Sequence, residues 1–143
     1  MKRNRFFIIT VIILFALFSV FFSGCSNNNS GDSEENSYSH VDLEEAKKLI
    51  DTDGSVLVDV RNEIIFSFEH IPGAICIPYD TVSDDPDEIV PDLPDKNQII
   101  ILYCDYGAIS KEVAEKLVAK GYTNVYEFDG LLVWDGEIVG KAQ

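Results

Sequence analysis

A parallel β-sheet flanked by helices is the fold class this sequence predicts, and three observations predict it. Short strand-like runs alternate with segments of helical periodicity along the chain. The connections between them are only a few residues long. The strongest run, "QIIILY" (Gln98–Tyr103), is continuously apolar, as strands covered on both faces are in parallel sheets.

The chain of 143 residues has room for one such domain once its first segment is set aside. Lys2, Arg3 and Arg5 precede an uncharged apolar run from Phe6 to Phe22, followed by Ser23, Gly24 and Cys25. A basic start, an apolar stretch and small residues read as a secretory signal over residues 1–24. "FSGC" resembles the lipobox of bacterial lipoproteins, which implies that Cys25 is lipidated, with palmitate among its acyl chains, and becomes the new N-terminus. An uncleaved membrane anchor is the alternative. Either way the basic residues stay inside and the domain faces the extracytoplasmic side of the cell membrane. Residues 25–39 are rich in Ser, Asn, Asp and Glu and read as a flexible polar tether, leaving residues 40–143 as the domain.

Within the domain, "DLEEAKKLID" reads as a helix with Asp42 as N-cap and Glu45 at capping-box spacing. "SVLVDV" (Ser55–Val60) is a strand, and "NEIIFSFEH" one or two helical turns. Pro72-Gly73 marks a turn before a short strand around Ala74–Ile77, which would bury Cys76. From Asp80 to Asp95 seven acids occur without a base, interrupted by Pro86, Pro91 and Pro94. The spacing lacks the alternating ligands and central glycine of an EF-hand, so the segment reads as a solvated loop with one helical turn. Ser110–Lys120 is a helix with a Val113, Ala114, Leu117, Val118 stripe, with Lys111–Glu115 and Glu112–Lys116 pairs across its turns, and it ends at Gly121. "NVYEF" is a further strand and "GLLVWDG" a final short helix or turn, with Trp134 in the core.

Charge narrows the function. The chain carries 25 acidic against 11 basic residues, a formal net charge of −14, and three of those bases precede the apolar run. This excludes nucleic acid and adhesion to anionic lipid, and disfavours a general attraction for anionic substrates.

The chemistry points to "YCDYGAIS". Cys104 stands at the carboxyl end of a buried strand, where α/β sheets place their sites. The loop Asp105, Tyr106, Gly107, Ala108, Ile109 curls to the helix that Ser110 opens, and Gly107 supplies the permissive backbone. Inward-turned amides of such a curl, with the helix N-terminus behind them, would form a nest that stabilises a thiolate. As a lone cysteine it could equally be a small core residue.

Three stretches resemble the rhodanese family. "VLVDVRNEIIFSFEHIPGAICIP" is similar to the pattern Asp-Val-Arg, helix, Gly-His-Ile-Pro-Gly-Ala. "IIILYCDYGAIS" resembles the active-site loop Tyr-Cys-Arg-x-Gly-x-Arg-Ser, and "VYEFDGLLVW" the closing Gly-Gly-x-x-x-Trp. The resemblance implies a five-stranded parallel sheet with helices on both faces. It also implies Cys104 as the catalytic cysteine, taking a sulfane sulfur as persulfide and passing it to a small-molecule or protein thiol, without a cofactor. The departures matter. Asp105 and Ile109 stand where the family often has arginines, so the loop has no cation and Asp105 adds a negative charge beside the sulfur. Thiosulfate is therefore expected to be a poor donor compared with a neutral or protein-bound persulfide. Ile65 replaces an acid four after Arg61 and Glu69 replaces a glycine, which suggests Glu63 or Glu69 as the partner of Arg61. Asp59, Arg61 and His70 read as braces beneath the site, and His70 lacks companions for a metal. Residue six after Cys104 is Ser110, not the arginine of a Cys-x5-Arg phosphatase loop. Two alternatives remain: a binding or sensing module that has lost turnover, and a thiol redox protein using Cys104 with Cys76.

Overall fold

A computed structural model describes residues 37–140; the signal segment, Cys25 and most of the tether lie outside them. Among the described residues no helix is long and apolar enough to cross a membrane. The elements are β1 (Ser39–His40), α1 (Leu43–Ile50), β2 (Val56–Asp59), α2 (Glu63–Phe68), β3 (Ile75–Cys76), β4 (Ile99–Tyr103), α3 (Ala108–Ala119) and β5 (Asn124–Glu127). Short 3₁₀ turns occupy Tyr79–Thr81 and Gly130–Leu132. The five strands form one parallel sheet in the order β1-β5-β4-β2-β3. It begins within the stretch read as tether: Ser39 pairs with Tyr126, and Tyr38 packs on the core.

Side-chain alternation along the strands divides the core in two. On one face Val58, Val60, Ile100, Leu102 and Cys104 meet Val113, Ala114 and Leu117 of α3. On the other, Leu57, Ile101, Tyr103 and Phe128 meet Ala46 of α1. Both faces of β4 are thus covered, which is why its sequence is apolar throughout.

Helix termini follow their local chemistry. Asp42 caps α1 by accepting from the Glu45 N–H at 2.9 Å, and Asn62 caps α2 by accepting from Ile65 at 2.9 Å. At the end of α3, Gly121 (φ 86°) donates to the Val118 carbonyl and Tyr122 to that of Leu117, a Schellman closure. The expected pairs along α3 are replaced by tertiary ones. Lys116 reaches Asp84 at 3.0 Å and the Val82 carbonyl at 3.0 Å, while Lys120, almost fully buried, donates to Ser83 and to the Asp85 carbonyl. The acidic segment is therefore not simply solvated. Val82, Val90 and Leu93 anchor it in the core and two lysines of α3 hold its backbone. The chain's end returns to α2: His70 and Val139 exchange backbone hydrogen bonds at 2.7 and 2.9 Å.

Candidate active site

Cys104 follows β4 directly, and the strand's alternation turns its side chain to the α3 face with Ile100 and Leu102. Cys104 is 3% exposed. Gly107, at φ 82°, donates its N–H to Sγ at 3.1 Å, and the Ser110 hydroxyl lies 3.8 Å from Sγ while donating to the Gly107 carbonyl at 3.0 Å. The helix itself starts at Ala108, two residues earlier than the sequence suggests, and no side chain caps it. Its first N–H groups are therefore left without intrahelical partners. The nest expected around the sulfur is correspondingly thinner: among the described residues one backbone amide, that of Gly107, bonds Sγ. Tyr106 and Ala108 are exposed, Ile109 packs on the α3-side core, and Ser110 is fully buried.

Asp105 corrects the sequence reading. It is not a lone charge: its Oδ1 accepts from Arg61 Nη1 at 2.8 Å. Arg61 does not pair with the carboxylates of Glu63 or Glu69. It grips Asp59 through Nε (3.0 and 3.1 Å) and Nη2 (2.7 Å), and donates to the Glu69 backbone carbonyl at 2.7 Å. Asp59 is wholly buried and Arg61 3% exposed. Burial pulls the guanidinium down, but the hydrogen bonds and charge of Asp59, then of Asp105, outweigh it and hold Arg61 above its ordinary value. The Arg61 guanidinium lies 6.0 Å from the centre of the Tyr103 ring, and the Tyr103 hydroxyl accepts from the Ile71 N–H at 3.0 Å. Burial pushes that phenol well up. Asp59, Arg61 and Tyr103 thus tie β2, β4 and the loop after α2 together behind the cysteine loop.

A second brace comes from the closing turn. Gly130 (φ 67°) lies so close to the cysteine that an added Cβ would stand 1.8 Å from the Cys104 carbonyl oxygen. Leu131 and Leu132 then donate to the carbonyls of Cys104 and Asp105 at 3.0 and 3.1 Å. Glycine is required here on both counts. Asp129, which occupies the first glycine of the Gly-Gly-x-x-x-Trp pattern, was missed as a site residue. A Cβ on Gly107 would lie 3.0 Å from Asp129 Oδ1 and 3.8 Å from Lys111 Nζ. Lys111 makes no pair with Glu115 and supplies a cation next to the loop. Only the departure from the family pattern at Asp129 could have signalled this carboxylate.

The remaining candidates fall into structural roles. His70 stacks on Phe66 (ring centres 3.9 Å apart) and its Nδ1–H donates to the Phe66 carbonyl at 2.8 Å. Trp134 is half-buried against Phe128, its indole N–H donating to the Glu137 carbonyl at 3.0 Å. Cys76 is half-buried rather than buried, its thiol 3.4 Å from the Arg61 carbonyl, and both Cys76 and Cys104 are free thiols.

A cysteine directly after the central strand and over a helix N-terminus, in a five-stranded parallel sheet covered on both faces, defines a cysteine-loop α/β domain. Residues 42–133 match the family described as rhodanese-like domain, and the chain belongs to that family. A thiosulfate sulfurtransferase of Escherichia coli is 38% identical over 74 residues, covering 52% of this chain and 68% of its own length. A crystal structure of a rhodanese-like domain protein from Staphylococcus aureus, at 30% identity and a TM-score of 0.59, covers 72% of this chain and 98% of that one. An adenylyltransferase and sulfurtransferase of Candida albicans is 34% identical over 90 residues, 60% of this chain. The chain spans only 20% of that protein, and 26–30% of the tRNA uridine(34) hydroxylases it also matches.

Proposed function

We propose that this protein transfers sulfane sulfur through a persulfide on Cys104. The observation that carries the reading is the Gly107 N–H held 3.1 Å from Sγ at the uncapped start of α3. That amide donor, at a helix N-terminus, is placed to hydrogen-bond the sulfur that does the chemistry. The Cys104 thiolate attacks the outer sulfur of a donor persulfide R–S–SH; the new S–S bond forms as the donor's S–S bond breaks. The products are Cys104–S–SH and the thiolate R–S⁻. An acceptor thiolate then attacks the terminal sulfur and regenerates the Cys104 thiolate, so no external oxidant or reductant is needed. Ser110 and the braces at Arg61 and Gly130 hold the loop in place through both steps.

Thiosulfate is the poorer donor in this reading. The loop lacks arginine, Arg61 is engaged by Asp59 and Asp105, and Asp129 sits against Gly107. Turnover with thiosulfate equal to that of the E. coli relative would overturn this preference. The domain works at the extracytoplasmic face of the cell membrane, anchored by lipid on Cys25. Palmitate labelling that persists in Cys25→Ser would refute the anchor.

The test is mass spectrometry of the protein after exposure to a persulfide donor. One sulfur atom added at Cys104, and none in Cys104→Ser, is the expected result. An unchanged Cys104 would instead favour a binding or sensing module, a reading supported by the deep burial of the sulfur. A Cys76–Cys104 disulfide would favour redox chemistry.

A further inference from the structure

Exposed apolar side chains lie on three segments at the cysteine-loop end of the sheet. Ile64 and Phe68 of α2, Tyr106 of the loop and Leu132 of the closing turn are each 58–72% exposed. They come from three separate segments that follow β2, β4 and β5, and all emerge at the carboxyl edge of the sheet. Two contacts bring the segments together: Arg61, which precedes α2, bonds Asp105, and Leu132 donates to the Asp105 carbonyl. An apolar surface collected from three segments around one site marks a contact surface.

The same segments, residues 61–70, 104–111 and 128–134, hold Arg61 and Asp105, which pair with each other, and beyond that pair carry Glu63, Glu69 and Asp129 against Lys111. The surface is therefore an apolar collar in an acidic frame, on a chain of net charge −14. Self-association would set like charges together, and anionic lipid would be repelled. Its complement is a protein whose sulfur-bearing cysteine projects on an apolar tip framed by lysine or arginine. A projecting tip also suits a cysteine that is 3% exposed.

We infer that the collar of Ile64, Phe68, Tyr106 and Leu132 docks a basic-framed partner protein that delivers sulfane sulfur to Cys104. This rests on the sulfur-transfer reading above and names the donor class. The delivery step is the same exchange: the partner's S–S bond breaks as the Cys104 S–S bond forms, and the partner leaves as its thiolate.

Two synthetic peptide persulfides test it, Lys-Leu-Cys-Phe-Lys and Glu-Leu-Cys-Phe-Glu, each carrying the extra sulfur on cysteine, with glutathione persulfide as a small reference donor. The Lys-framed peptide is expected to load Cys104 about tenfold faster than the Glu-framed one, an advantage that shrinks as ionic strength rises past ~0.1 M. The double variant Ile64→Ser, Phe68→Ser should lose most of that rate while glutathione persulfide loads it as before. Equal rates for both peptides, or a double variant with unchanged peptide rates, would overturn the proposal. So would a variant whose defect is loss of binding to phosphatidylcholine vesicles or of a dimer in sedimentation, with peptide loading intact. Failure of glutathione persulfide to load Cys104 would instead remove the sulfur-transfer reading itself.

Discussion

Replacing Arg61 by alanine and Asp105 by asparagine should have very different effects, although both break the same ion pair. Arg61→Ala leaves the fully buried Asp59 carboxylate without the guanidinium that makes three hydrogen bonds to it. Removing one partner of a buried pair destabilises by about 3–5 kcal/mol, because the other charge stays behind uncompensated. Against a usual total of roughly 5–15 kcal/mol this is a large fraction. Asp105 differs because its carboxylate is 44% exposed, so solvent screens the bond to Arg61. Asp105→Asn should cost less than ~1 kcal/mol. With urea slopes of roughly 1–3 kcal/mol/M, Arg61→Ala should lower the unfolding midpoint by at least about 1 M, and Asp105→Asn by no more than about a third of the Arg61→Ala shift. Equal midpoint shifts for the two variants would refute the division of the pair into a buried and a screened half.

The glycines offer a matched comparison. Gly130→Ala meets the Cys104 carbonyl and would break the two backbone hydrogen bonds donated by Leu131 and Leu132, whereas Gly54, also at positive φ (81°), has open space around its Cβ position. Thermal unfolding should show Gly54→Ala losing about 1–2 kcal/mol and Gly130→Ala distinctly more, with sulfur loading of Cys104 lost in the second alone. Cys76 provides the pH test. Burial first, then the charges of Asp59 and Glu63, push its thiol above the ordinary value. Since the thiolate is the reacting form, alkylation of Cys76 should be slower than that of a free cysteine at pH 8. Its rate should also reach half-maximum at a higher pH, read by peptide mapping with iodoacetamide. A Cys76 profile overlying that of free cysteine would contradict the burial argument.

The scaffold was readable from the residues because its signals are local. The β4 run, the Asp42 cap, the Pro72-Gly73 turn and the Gly121 stop each depend on a few neighbours, and each stands as the sequence suggested. The cysteine loop was readable in position for the same reason. What sequence reading missed depends on contacts between distant residues. The charged partners of Arg61 lie two and forty-four positions away, and the farther one sits in the loop. Lys116 and Lys120 turn from their helical neighbours to the backbone of residues 82–85. Asp129 reaches Gly107 only because β5 lies beside β4.

The pairing of Asp105 with Arg61 has a wider consequence. The acid that follows the nucleophile in sequence is already balanced by a guanidinium carried in from the end of another strand. A substitution's distance from Cys104, counted along the chain, is therefore a poor guide to its electrical effect.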